Sequence, residues 1–361
     1  MIIGILGGGQ LARMLALAGH PLGLQFIMLD PSEDACAGVV ADQIQGRYND
    51  IAKLELLAQK ADVVTYEFEN IPAAAVEFLA KKVPVYPPLL ALTTAQDRLY
   101  EKKLFRKLDI CTPAFVPINN LEELQRALKE ISYPAILKTR TQGYDGKGQA
   151  ILRRNADLTT AWEHLNGVPA IVEDFIPFDR EISIIAARNH SGEIKCYPVT
   201  ENVHHAGILH FSKALKNDSA QHQAADYVKR LLNHLDYVGI ITLELFQVGD
   251  QLLANEFAPR VHNSGHWTQN GAIIDQFENH LRAILDLPLG STDSSDYAAM
   301  INLISTVPSR EKILQQTHAN LHLYGKEERT GRKLGHINIC TSDEATFNKE
   351  IGALQNIVNS G

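Results

Sequence analysis

The sequence predicts an α/β protein of two or three domains, and three observations carry that expectation. At 361 residues the chain is long for a single domain. It opens with an apolar run, a glycine turn, a helical stretch and a second apolar run, as a doubly wound parallel sheet does. Much later, two strand-like runs separated by Gly249-Asp250 read as an antiparallel hairpin.

The totals narrow the class. Hydrophobic residues make up 45% and charged residues 21%, the balance of an ordinary soluble globular chain. A net charge of -8 argues against a nucleic-acid or anionic-membrane surface, but leaves room for a local basic pocket that binds a small anion. Cys36, Cys111, Cys196 and Cys340 lie far apart in no metal-binding spacing, which points to a reducing, cytoplasmic setting. The N-terminus has neither the basic flank nor the unbroken apolar run of a signal peptide.

In chain order, residues 2–6 form the first strand, and apolar spacing from Gln10 to Ala18 is helical. Gln25 to Asp30 is the second strand. Gly7-x-Gly9-x-x-Ala12 fits a dinucleotide fingerprint, and Asp30 stands where a ribose-binding acid would. The same glycines would equally allow tight helix–strand packing, or let the helix N-terminus hold a phosphate. Ile51 to Lys60 reads as a helix. Asp62 to Phe68 reads as a buried strand, with Glu67 and Glu69 at the end where open α/β sheets bind ligands. Val83 to Tyr86 is a short strand, and Pro87-Pro88 closes a first domain of about residues 1–90.

A helix over Ala95 to Leu108 comes next, with Thr94-x-x-Asp97 as a capping box. Its charges, Arg98, Glu101, Lys102, Lys103, Arg106 and Lys107, read as a solvated face. Asp109 to Pro117 reads as a linker and Leu121 to Ile131 as an amphipathic helix. Pro134 to Arg140 is a strand carrying Lys138, and a lysine in an apolar strand calls for an anion. The strand runs into a loop with Gly143, Gly146 and Gly148. Backbone amides of such a loop can close over phosphates, or the loop can simply turn a hairpin between Leu137 and Ala150. Val168 to Phe175 is a strand ending in Glu173 and Asp174. Arg180 to Ala187 and Ile194 to Val199 form a hairpin, on which Glu181 reads by default as a surface acid. His204-His205 and His210 are not at helical ligand spacing.

The helix from about Ala220 to Leu235 leads to the late hairpin, Val238 to Gln247 and Gln251 to Phe257. It continues into the most unusual stretch, Asn255 to Asn270 (NEFAPRVHNSGHWTQN), where a carboxylate, a guanidinium, two imidazoles and several amides crowd together. Such groups are costly to bury unless they are paired or bind something. A hairpin loop of odd length would set Glu244 opposite Glu256, with Cβ atoms about 5 Å apart. Their repulsion would then call for a hard cation such as Mg²⁺, commonly shared with substrate phosphates. A two-residue loop would put the two acids on opposite faces. Beyond Asn270 come a helix (Ile273 to Leu285), a connector (Asp286 to Asp296), and strands at Ala298 to Val307 and Leu321 to Tyr324. Lys326, Arg329, Arg332 and Lys333 then cluster as either a solvated turn or a phosphate clamp.

Taken together, the lysine-bearing strand, Gly143-Tyr144-Asp145-Gly146-Lys147-Gly148-Gln149, Glu173-Asp174-Phe175-Ile176, the paired strand carboxylates and Arg260-Val261-His262-Asn263-Ser264-Gly265-His266 resemble ATP-grasp enzymes. Within them, the string from Arg260 to Asn270 is similar to the 5-(carboxyamino)imidazole ribonucleotide synthase family, and the resemblance runs from Gly7 to His336. It implies a Rossmann-like N-terminal (pre-ATP-grasp) domain over 1–90, an ATP-grasp domain over 91–290 with its lid lobe at about 115–200, and a small β-rich C-terminal domain over 291–361. It implies ATP contacts from Arg98, Lys138, the Gly143–Gln149 loop, Glu173 to Ile176, Glu181, His204, Asn255 and Glu256. Mg²⁺ would sit on Glu244 and Glu256. The aminoimidazole ribonucleotide would lie near Tyr144 and Asp145, with Arg260, His262 and Asn263 around bicarbonate and the amine. Lys326, Arg329 and Arg332 would hold its 5′-phosphate, with Gln10 and Glu67 nearby. The catalytic set would be Lys138, Asp145, Arg260 and His262, and the family suggests a cytoplasmic homodimer.

Overall fold

The structure, a computed structural model, describes residues 1–143, 146–294 and 296–360. β1 (Ile2–Leu6), β2 (Gln25–Asp30), β3 (Asp42–Gln45) and β4 (Val63–Tyr66) form a parallel sheet in the order β3-β2-β1-β4. Helices α1 (Gln10–Gly19) and α2 (Ile51–Lys60) lie between its strands, and α3 (Ala73–Ala80) follows them. The order reverses at β1 and β4, so their C-terminal ends frame the crevice typical of such sheets. The strand expected at Val83 to Tyr86 is a single bridge from Val85 to Val64.

The dinucleotide fingerprint fails here for a physical reason. The Gly8 N–H donates to Asp30 Oδ2 at 2.8 Å, the Ala12 N–H donates to Glu67 Oε2 at 2.9 Å, and the Gly9 N–H donates to Glu67 Oε1. The donors that a pyrophosphate would use at the start of α1 are already taken by the chain's own carboxylates. Gly7 has φ +106°, and a Cβ there would come within 2.5 Å of the Glu67 side chain. That glycine makes room for a carboxylate of the same domain.

Two helices, α4 (Leu89–Ala95) and α5 (Arg98–Lys107), replace the single helix expected over Ala95 to Leu108. Thr94 is not a cap, because its Oγ1 donates to Leu90 O at 2.7 Å. Asp97 caps α5, accepting from Leu99 N at 2.9 Å, and Arg140 grips the same carboxylate at 3.0 and 2.5 Å. Nor is α5 charged on a solvated face only. Glu101 and Lys102 are 2% and 1% exposed, because that side packs against the nine-stranded sheet described below.

A second, antiparallel sheet has the order β5-β8-β6-β7, from β5 (Phe115–Ile118), β6 (Ala135–Thr139), β7 (Gln149–Leu152) and β8 (Ala170–Asp174). Helices α6 (Leu121–Ala127) and α7 (Leu158–His164) share its core. β5 begins inside the expected linker. The glycine loop does close a hairpin, with Leu137 opposite Ala150.

The largest sheet has nine strands: β9 (Arg180–Arg188), β10 (Ile194–Cys196), β11 (Thr200–His205), β12 (Ile208–Ala214), β13 (Gly239–Val248), β14 (Gln251–Ala258), β15 (Tyr297–Ile304), β16 (Ala319–Leu323) and β17 (Lys333–Thr341). Its order is β14-β13-β9-β11-β12-β15-β17-β16, with β10 paired to β9. The C-terminal strands therefore extend the central sheet through the β12–β15 pairing. Helices α8 (Gln221–His234), α9 (Thr268–Gly271), α10 (Gln276–Ile284), α11 (Arg310–Leu314) and α12 (Glu344–Asn359) complete the chain.

Helix α10 ties the first sheet to the third. Its Phe277 and Leu281 share one apolar cluster with Ile5, Leu15, Ile185 and Ile240. Among these apolar groups sits His280, 1% exposed. Its Nδ1 accepts from Ile240 N at 3.1 Å, so the ring proton is on Nε2, 2.8 Å from Thr65 Oγ1. Burial lowers this imidazole from an ordinary 6.5 to about 3. A depressed pKa contributes stability that is complete above the unfolded value and is lost as pH falls toward the folded one. Going from neutral pH to pH 5 should therefore remove about 2 kcal/mol through this group alone. Thermal unfolding of the wild type should show the loss as a lower midpoint, and His280→Gln should show a smaller fall between the same two pH values.

Candidate active site

A cleft of about 650 Å³ opens where the three sheets meet. The late hairpin forms one wall. Its loop is the two-residue Gly249-Asp250, with Val248 opposite Gln251, so parity alone would put the two acids on opposite faces. A β-bulge reverses this. Leu245 pairs with Ala254 and Glu244 pairs with Glu256, leaving Asn255 as the extra residue. The odd-loop premise is thus incorrect, while the juxtaposition it was meant to explain is present. Both Asn255 and Glu256 are half-buried and line the cleft beside Glu244.

Nitrogen donors face both acids. Arg98 Nη1 is 2.7 Å from Glu256 Oε2, and His262 Nε2 is 3.1 Å from Glu244 Oε1. Enclosure raises the Glu256 carboxyl, but Arg98 more than reverses this and brings it down to about 2, although 42% of the side chain faces the open cleft. Two oxygen-donor carboxylates on facing strands, both lining a cleft, suit a hard cation. Among the described residues no cluster of three metal-ligating side chains occurs, so the remaining ligands would come from elsewhere. Gly143 lies so close to Arg98 that a Cβ there would be 2.9 Å from Nη2.

Lys138 emerges from β6 into the cleft. Its Nζ is 2.7 Å from Glu173 Oε2 and 3.3 Å from Asn255 Oδ1. Glu173 is 1% exposed and held from the other side by Lys102, 3.0 Å from Oε1. Burial raises this carboxyl, but Lys102 and Lys138 together take it down to about 2. The Glu173 side chain is therefore sealed behind the cleft. Glu181 is no surface acid: it lines the cleft and pairs with His204 Nδ1, which raises the imidazole's pKa against the effect of burial.

The stretch after β14 delivers Arg260, His262 and Asn263. Arg260 reaches across to the first sheet, where its guanidinium takes Glu69 through Nε and, at 3.1 Å, through Nη2. Burial would raise Glu69, but Arg260 reverses that and lowers it. The His262 backbone is pinned by the fully buried Gln276, whose Oε1 accepts from its N–H at 2.9 Å and whose Nε2 donates to its C=O at 2.7 Å. Asn263 lines the cleft while exchanging two hydrogen bonds with Asn302, at 3.1 and 2.7 Å.

Of the other expected residues, Gln10, Glu67, Gly146, Lys147 and Gln149 line the cleft. Gly148, Asp174, Phe175 and Ile176 are not in that lining, and Tyr144 and Asp145 lie outside the described residues. Lys326 bonds Gln10 Oε1 across the domains, and burial lowers its pKa. Arg329 is exposed and Arg332 donates to Glu327 O at 3.3 Å, so the structure does not bring these two into the lining, whereas it does bring Lys333. Sequence reasoning missed the partners. Glu69 shares a strand end with Glu67, and Lys102 follows Arg98 by one helical turn; both spacings were available as signals.

Comparison with known proteins agrees with this geometry. The ribonucleotide synthetase preATP-grasp domain matches residues 1–96, the ATP-grasp domain 103–277, and the phosphoribosylaminoimidazole carboxylase C-terminal domain 298–350. The N5-carboxyaminoimidazole ribonucleotide synthase of Pseudomonas aeruginosa is 48% identical over 360 residues, covering 100% of both chains. The chain belongs to the N5-carboxyaminoimidazole ribonucleotide synthase family. The crystal structure of the synthetase from Thermus thermophilus is 48% identical, with a TM-score of 0.94 over 98% of each chain. The Aspergillus clavatus synthase in complex with ADP and 5-aminoimidazole ribonucleotide is 29% identical, with a TM-score of 0.93 over 100% of this chain and 99% of that one. The chain is thus an ATP-grasp ligase whose reaction is the carboxylation of 5-aminoimidazole ribonucleotide in purine biosynthesis.

The Glu69–Arg260 pair carries a prediction for this synthase. Removing one member of an enclosed ion pair strands the other charge. Glu69→Gln should release Arg260 and lower kcat/KM for bicarbonate about tenfold or more, read in steady-state carboxylation assays. Wild-type rates from that variant would show that the pair does not position Arg260.

Proposed function

We propose that this cleft performs the synthase reaction with the groups just described. One observation carries the assignment: the Asn255 bulge sets Glu244 and Glu256 side by side in a cleft that also receives Arg98, Lys138, Arg260 and His262. ATP is held by Arg98, Lys138, the Gly143–Gln149 loop, the Glu173–Ile176 segment, Glu181, His204, Asn255 and Glu256. Glu244 and Glu256 hold Mg²⁺, which supplies neutralising charge for the transferred phosphoryl group. Gln10, Glu67, Lys326 and Lys333 take the ribonucleotide, and Tyr144, Asp145, Arg329 and Arg332 are the remaining groups assigned to it.

Bicarbonate is a weak electrophile. Its oxygen attacks the γ-phosphorus, ADP leaves, and the carboxyl carbon gains a phosphate leaving group. Arg260 orients bicarbonate and Lys138 offsets the charge that builds on the phosphoryl oxygens. The ribonucleotide amine then attacks the carboxyl carbon, or CO₂ released from it, phosphate departs, and the amine gives up a proton to Asp145 or His262. Water would destroy the intermediate, so the site must exclude it. The division into domains at 1–90, 91–290 and 291–361, a homodimer and a cytoplasmic location belong to the same proposal. Among the described residues no helix is long and apolar enough to cross a membrane.

ADP release from Mg²⁺-ATP and bicarbonate should be strongly stimulated by aminoimidazole ribonucleotide, with bicarbonate carbon recovered in an acid-labile product. Chelation of Mg²⁺ should abolish that release. Arg260→Ala should lose carboxylation while still binding ATP; near-normal product formation by this variant would remove Arg260 from its role.

A further inference from the structure

His262 stands at the end of a buried polar row that crosses the largest sheet. Ser183 on β9 pairs with Glu244 on β13, and Asn202 on β11 pairs with Ser212 on β12. Ser183, Asn202, Ser212 and Ser264 are 0%, 6%, 0% and 1% exposed, so their polar groups must satisfy one another. The contacts form one chain. Ser212 Oγ donates to Asn202 Oδ1 at 2.8 Å, Asn202 Nδ2 donates to Ser183 Oγ at 3.0 Å, and Ser183 Oγ donates to Ser264 Oγ at 2.8 Å. Ser264 Oγ lies 2.9 Å from His262 Nδ1.

The direction of the row is set at both ends. An amide NH₂ can only donate, so Asn202 fills one lone pair of Ser183; with the Ser183 proton directed at Ser264, the Ser264 proton is left for the imidazole. At the other end the Ser264 backbone N–H also donates to His262 Nδ1, at 3.3 Å. A nitrogen that accepts from a backbone N–H carries no proton. The imidazole proton is therefore on Nε2, the nitrogen that faces Glu244 at 3.1 Å.

We infer that Ser264, Ser183 and Asn202 are positioning residues that hold His262 as an Nε2–H donor toward the cleft, suited to an oxyanion derived from bicarbonate and unable to take the amine proton. This rests on the proposed function for the oxyanion, whereas the tautomer stands on the contacts alone. It leaves Asp145 as the group assigned to the amine proton.

The test is a long-range ¹H–¹⁵N spectrum of the full chain labelled with ¹⁵N-histidine, free of nucleotide and metal near neutral pH, with His262 assigned by its loss in His262→Gln. The wild type should show Nδ1 at the unprotonated shift and Nε2 at the protonated one. A protonated Nδ1, in either the other tautomer or an imidazolium, would overturn the inference. Ser264→Ala should move the Nδ1 shift and lower kcat/KM for bicarbonate about 10- to 100-fold, with the KM for ATP unchanged. A folded Ser264→Ala with wild-type shifts and rates would also overturn it. If that variant does not fold, Asn202→Asp decides: the carboxylate accepts from Ser183, turns its proton away from Ser264, and should move the same Nδ1 signal. A wild-type Nε2–H tautomer in a chain that never carboxylates would strike the proposed function and leave the tautomer assignment standing.

Discussion

Two carboxylates placed side by side repel each other, and much of this molecule serves to hold Glu244 and Glu256 in that arrangement. The bulge at Asn255 creates the problem, since a regular ladder from the same turn would have separated them. The surroundings contain it with Arg98 on one acid and His262 on the other. Those two groups are themselves fixed from further away. Arg98 follows the Asp97 cap, which Arg140 grips, and His262 is locked by Gln276 through its backbone. A charge pair that needs so many partners is costly in a scaffold and useful in a site that receives phosphates and a cation.

The second constraint is the alternation of charge behind the cleft. Lys102, Glu173 and Lys138 form a buried row in which each neighbour has the opposite sign. The row crosses from α5 to the second sheet, so the lysine that enters the cleft is tied to both lobes. Glu69 and Arg260 do the same between the first sheet and the stretch after β14. Domain placement and site electrostatics are in this sense one system, because the ion pairs that join the domains also aim the cleft's cations.

Much of this was legible in the sequence where the signal was local. The opening strand–helix–strand, the Lys138 strand and the late hairpin all have one-dimensional periods that survive folding. The family string from Arg260 onward carried most of the functional reading. What stayed hidden depended on register and on distant partners. Parity across Gly249-Asp250 predicted the wrong faces, because nothing at Asn255 announces a bulge. The charged side of α5 read as solvated because its counter-charges lie on β8 and β14, far along the chain. The dinucleotide fingerprint misled for a related reason, since its glycines are shaped by Glu67, nearly sixty residues away.

That last feature bears on how the N-terminal domain could change. The start of α1 is a docking point filled from within: Glu67 stands where a ligand's phosphate would stand in a sheet of this kind. A bound ligand comes and goes, but a side chain is permanently present at an effectively unlimited local concentration. Evolution or a designer could not recover dinucleotide binding through these amides by adding contacts. The resident carboxylate would first have to be evicted, and the helix it steadies would lose its cap in the same step.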